Sequence, residues 1–177
     1  MKKSTVIIGL VAALIGGMVP TVQAAGPSGA TAHHVGSQLA VVRQATARYH
    51  RLDAALEAGF RPFSIDPADP DHPTCFDNGT LGGMGVHYVK GIDGILDPAA
   101  PEAMVYALTD HGPRLVAVEY IIPEGFVDPL DPPSLFGQTL HHHSFLPVYI
   151  LHAWVWKHNP AGVFADFNPN VGSCPDA

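Results

Sequence analysis

Three residues of the types that ligate metals stand inside short apolar runs. His87 lies in GMGVHYV (83–89), Glu119 in RLVAVEYIIP (114–123) and His152 in VYILHAWVW (148–156). An ionised carboxylate buried without a partner is expensive, so Glu119 must be neutral, paired or metal-bound. Cations to pair it are scarce, and Arg114 lies five residues away on the opposite strand parity. Two neutral imidazoles do not balance the charge; two imidazoles and a divalent cation do. Two His and one carboxylate form a common set for zinc and non-haem iron, with positions left for water or substrate. The expected cofactor is a divalent transition metal: zinc, iron or copper.

The spacing is not that of a local motif such as H-E-x-x-H, so convergence requires three neighbouring strands with matching faces. A strand histidine is also commonly a core residue bonded to backbone or to a carboxylate. The sequence therefore supports equally a metal site and a hydrogen-bonded His–Glu cluster. The run His141–His142–His143 offers one more candidate ligand, His143, because alternate residues of an extended chain share a face. Such runs are also commonly solvated. His50, on the flank of a helical stripe, is the remaining candidate ligand. Trp154 and Trp156 share a strand face with His152 and, with Tyr88, are expected as pocket wall for a small apolar ligand. There is no G-x-S-x-G elbow, no phosphate loop and no C-x-x-C.

The elements that must position these residues follow from the rest of the chain. Lys2 and Lys3, the apolar TVIIGLVAALIGGMV and the small residues up to Ala24 read as a signal peptide over 1–24. The expected location is secreted or periplasmic, with no membrane span after cleavage. Residues 25–36, AGPSGATAHHVG, read as a flexible tail, and 37–177 as a single globular domain. Beyond the leader only seven cations remain, scattered singly, against a formal net charge of −7 for the whole chain. That excludes a nucleic-acid or anionic-lipid footprint. Cys75 and Cys174, the only cysteines, are expected to form a disulfide in an exported protein.

Ser37 reads as an N-cap, Leu39, Val42, Ala45, Tyr49, Leu52 and Leu56 recur at helical spacing, and Gly59 reads as the stop. Residues 61–82 form a proline- and aspartate-rich loop. Met84–Val89, Leu115–Ile122 and Val148–Trp156 read as strands, with a further strand at Val105–Leu108 after a short helix or turn entered at Pro101. The proline-rich 123–140 segment is long enough to act as a lid over a site. The strands are apolar on both faces, so each face must be covered. The expected fold is α+β: one long N-terminal helix on a mainly antiparallel sheet with long proline-rich loops.

The segments GMGVHYV, PEAMVYAL, RLVAVEYIIP and LHAWVWKHNPAGVFADFNPNVGSC, in that order, resemble a family of exported bacterial proteins of uncharacterised activity. The resemblance runs from the helix to Cys174 and implies an independent globular domain. The residues themselves lead to an exported metal-binding protein with a His/His/Glu site, extending to a small metalloenzyme with hydrolytic or oxygen chemistry. A metal-free module for a small apolar ligand, and a structural domain with a buried polar cluster, are the alternatives.

Overall fold

Helix α1 (Gly29–Thr46) begins eight residues before Ser37, within the glycine-rich stretch. The structure, a computed structural model, describes residues 29–174; the leader read at 1–24 lies outside the described residues. Ser37 is therefore interior to the helix, and its Oγ donates to the His34 carbonyl at 2.7 Å instead of capping. The single helix expected up to Gly59 is interrupted. A 3-10 turn at Ala47–His50 and an extended Arg51 (φ −92°, ψ 117°) precede α2 (Leu52–Glu57). The cause is tertiary: the Tyr49 carbonyl, released from helical pairing, accepts the Tyr106 hydroxyl from the sheet at 2.7 Å. Gly59 does end the helix, at φ 99°. The Phe60 and Gly59 N–H groups reach the Ala55 and Leu56 carbonyls, each at 3.0 Å, the two bonds of a Schellman end.

The strands are β1 (Arg61–Pro62), β2 (Cys75–Asp77), β3 (Gly83–Val89), β4 (Ala103–Ala107), β5 (Arg114–Pro123), β6 (Ser134–Leu135), β7 (Gln138–Thr139), β8 (His141–His142) and β9 (Val148–Ala153). Seven make one antiparallel sheet in the order β1-β3-β4-β5-β9-β8, with β2 also pairing β3; β6 and β7 form a separate hairpin. The fold is α+β. Pro101 introduces no helix, and the chain enters β4 at Ala103.

Both faces are covered, as the two-sided apolar pattern requires. Tyr88, Tyr106, Val118 and Tyr120 pack against Leu39, Val42 and Tyr49 of the helical layer. Leu135, Phe136 and Leu140 join that same core, so the 123–140 segment lies on the helix side. It does not lid the other face, where strand alternation sends His87, Glu119 and His152. Val105, Ala117, Ile121 and Ile150 surround them. At one end β5 bulges: Tyr106 pairs Leu115 and Val105 pairs Ala117, leaving Val116 between them. The Val116 carbonyl instead takes the N–H groups of Trp156 and Lys157 at 3.2 and 3.1 Å. Strand β9 therefore ends at Ala153, short of the expected Trp156.

The face bearing His87 is closed by the C-terminal segment. Asn168 N–H bonds the Gly83 carbonyl and Gly83 N–H bonds the Val171 carbonyl, both at 3.0 Å. The two backbones pass so closely that a Cβ on Gly82 would lie 2.3 Å from the Asn168 oxygen. Gly82 also has φ 96°, a region that L side chains rarely adopt. Cys75 and Cys174 are bridged, with Cα atoms 5.7 Å apart and a sequence separation of 99. Closing a loop of that size stabilises by ~4–5 kcal/mol in the chain-entropy account. Among the described residues, no helix is long and apolar enough to cross a membrane. Replacing Gly82 by Ala is expected to cost about 2 kcal/mol or more, read from the urea midpoint, because both the backbone angle and the crossing are violated.

Candidate metal centre

Strand register brings the three misfit residues together. Glu119 on β5 is directly opposite His152 on β9. On its other side Glu119 pairs with Ala103 of β4, and His87 of β3 pairs with Val105. Ala103 is short enough for His87 and Glu119 to meet over β4. The two Nε2 atoms stand 3.3 Å apart. His87 Nε2 is 3.5 Å from Glu119 Oε2, and His152 Nε2 is 3.5 Å from Glu119 Oε1. All three residues are buried, and they can hold a metal ion.

A hydrogen-bonded His–Glu pair draws in to about 2.7–3.2 Å. Donor atoms on a tetrahedron with bonds of about 2.0–2.1 Å stand about 3.3 Å apart along each edge. The two carboxylate contacts, at 3.5 Å, run to different oxygens, Oε2 toward His87 and Oε1 toward His152, and are longer than a hydrogen-bonded His–Glu pair, while the two Nε2 atoms at 3.3 Å are within hydrogen-bond reach of each other. The far nitrogens, His87 Nδ1 and His152 Nδ1, are buried without hydrogen-bond partners.

Electrostatics match the geometry. Burial, with His152 and His143 nearby, pushes His87 down to about 3, so its ring is neutral and able to ligate. Burial raises Glu119 above the usual carboxylate range, with His152 opposing that shift. Burial pulls His152 down, but the charges of Glu119 and Asp166 outweigh it and raise its affinity for a proton.

Asp166 is the residue that sequence reasoning missed. Its Oδ1 lies 3.6 Å from His152 Nδ1, just beyond hydrogen bonding, and its Oδ2 lies 3.2 Å from His141 Nε2. A carboxylate behind a ligating imidazole fixes the ring and raises its basicity. The irregular segment VFADFNP offers no periodicity from which to assign Asp166 a face.

The remaining candidates lie elsewhere. His143 is in the wall of the adjoining cavity, outside the cluster, and its Nδ1 accepts from the Phe145 and Leu146 N–H groups at 3.4 and 3.2 Å. That fixes the proton of neutral His143 on Nε2, the atom that a metal would need free. His50 is exposed on the 3-10 turn, its ring centroid 4.2 Å from that of Trp156. Tyr88 belongs to the helix-side core, and Trp156 donates to Thr46 Oγ1 at 3.1 Å on that same side. Trp154 is buried beside His152, its Nε1 donating to the Ala165 carbonyl at 2.5 Å. None of these three aromatics lines the cavity next to the cluster, whose walls combine phenylalanine and aliphatic side chains with Asp77, Asp166 and the His141–Ser144 run.

A second buried carboxyl, Glu102, is not part of this group. It accepts the Ile121 N–H at 3.0 Å and borders a cavity of ≈ 380 Å³ on the helical side. Burial pushes it up to about 7. The folded chain thus holds a proton that the unfolded chain releases near 4.5, so this contribution is full below 4.5 and lost as pH rises through 7. Glu102→Gln keeps the acceptor and removes the titration. The variant is expected to gain on the wild type by on the order of 1–3 kcal/mol between pH 5 and 8, read from paired urea melts.

No family model, no curated protein and no solved structure matches this chain, so the geometry of the cluster carries the functional reading by itself.

Proposed function

We propose that this is an exported metal-binding protein whose ion is held by His87 Nε2, His152 Nε2 and the Glu119 carboxylate, with Asp166 orienting His152. The observation that carries this is the convergence, inside the sheet, of two imidazole Nε2 atoms 3.3 Å apart with the two oxygens of one buried carboxylate, each 3.5 Å from one of them. Zinc is the ion we assign, since two imidazoles and one carboxylate with a position left open are a common zinc set. Both cysteines are committed to the disulfide, leaving a nitrogen and oxygen donor set. Export is supported by that disulfide and by the leader-like first 24 residues. Three protein ligands leave a position for water or a small molecule, where zinc acts as a Lewis acid or lowers the pKa of bound water. His87 and Glu119 both line a cavity, so that position is reached from it.

Protein prepared without an affinity tag is expected to carry about one equivalent of metal by elemental analysis. His87→Ala, Glu119→Ala and His152→Ala should each reduce this to under about a tenth, while His50→Ala leaves it unchanged. Metal-free wild type that refuses zinc rejects the reading and favours the metal-free module. Asp166→Asn is expected to keep the stoichiometry at saturating zinc but to weaken affinity by about 10- to 100-fold, measured by competition with a chromogenic chelator.

A further inference from the structure

The cavity beside the cluster is acidic and aromatic at once. It encloses ≈ 450 Å³, a size that suits a small molecule. Three carboxylates line it, Glu119, Asp77 and Asp166, and no lysine or arginine does. Phe63, Phe76, Phe145 and Phe167 supply rings. Two of the carboxylates adjoin two of the rings in sequence, as Phe76-Asp77 at the end of β2 and Asp166-Phe167 in the C-terminal segment. Glu119 is buried and makes no hydrogen bond among the described residues, the imidazoles standing 3.5 Å away. Asp77 and Phe145 are exposed, so the cavity opens to solvent beside them.

Charge decides what enters. An amide N–H stabilises a carboxylate without cancelling its charge. The bonds that Asp77 accepts from Gly79 and Cys174, at 3.1 and 2.8 Å, therefore leave it an anion. With neutral imidazoles, a divalent ion in the cluster offsets two of the three negative charges and leaves one over. Removing the ion does not reverse that sign. An anion is repelled from such a lining. A cation is drawn to the carboxylates and to the faces of the rings.

We propose that the cavity takes a small organic cation, an ammonium group carried on an apolar body. The carboxylates of the lining hold the charge and the phenylalanines hold the body. The inference goes beyond the metal reading, since the acidic groups and the rings line the cavity whether or not an ion is bound.

The test uses the full mature chain loaded with zinc, at about pH 8 where ordinary imidazoles are neutral, with binding read by calorimetry. The probes are 2-phenylethylammonium, 2-phenylethanol and phenylacetate, which share a ring and differ in charge. The ammonium is expected to bind about three- to thirty-fold more tightly than the alcohol, from one exposed ion pair and one ring contact. Phenylacetate should bind most weakly. Raising sodium chloride from about 0.05 to 0.5 M should shrink the preference for the ammonium. Asp77→Asn should cut the ammonium-to-alcohol ratio by about two- to five-fold. Ser144 is exposed on the lining, and Ser144→Lys should weaken the ammonium and tighten phenylacetate. Neither substitution removes a ring or a proposed metal ligand, and the lysine variant decides the matter if the asparagine variant folds poorly. No response of either probe to that lysine places binding elsewhere and overturns the proposal. An alcohol bound as tightly as the ammonium overturns the cation and makes the cavity a neutral apolar site. Phenylacetate bound most tightly overturns it in favour of an anion. Zinc removal should leave the preference in place; ammonium binding that vanishes with the zinc overturns the proposal in favour of a free amine on the metal. A chain that takes up no zinc yet prefers the ammonium rejects the metal reading and keeps this one.

Discussion

The structure is organised around one electrostatic problem: a carboxylate in the middle of a fully buried strand. Glu119 has apolar neighbours along β5 on both sides and no lysine or arginine within ion-pair distance among the described residues. Its side chain is almost wholly buried, and a hydrogen bond to a neutral imidazole recovers only part of what burial costs. The fold answers with two histidines delivered from separate strands to the same point. Register is the means. A slip of one residue in either β3 or β9 would send its imidazole to the helix side, into the layer of tyrosines.

That requirement explains features that have no catalytic chemistry of their own. Alanine at 103 leaves the gap over β4 through which His87 reaches Glu119. The glycines preceding His87 allow the C-terminal segment to lie directly on the sheet edge, which is how Asp166 arrives behind His152. The tyrosines on the other face fasten the helical layer, and Tyr106 does so through a hydrogen bond to a carbonyl that an unbroken helix would have kept. The two faces of one sheet thus divide the work, one holding the molecule together and the other holding charge.

Much of this was legible from residue types. His87, Glu119 and His152 stand out because each contradicts the apolar run around it, and burial of all three turns that contradiction into geometry. The disulfide followed from an even cysteine pair, and Gly59 was readable as a helix stop because its role is local. What could not be read depends on contacts distant in sequence. The helix break at Ala47–Arg51 has no proline or glycine to announce it. Trp156 was assigned to the wrong face because the strand ends at a bulge in its neighbour. The 123–140 segment looked like a lid from its length, yet Leu135, Phe136 and Leu140 bury on the opposite side. Asp166 sits in irregular chain, where no period assigns a direction.

The covalent link between Cys75 and Cys174 acts beyond its effect on chain entropy. One partner adjoins Phe76, which walls the cavity; the other ends the segment that delivers Asp166. Oxidation of two thiols thereby sets the distance between the hydrophobic entrance and the outer carboxylate. The bridge adds to contacts that already hold this segment: Trp154 and Asn159 donate to the Ala165 and Phe167 carbonyls, and Phe164 and Val171 pack into the core. What the covalent bond adds is a fixed end-point, tying the last described residue to the strand that walls the cavity.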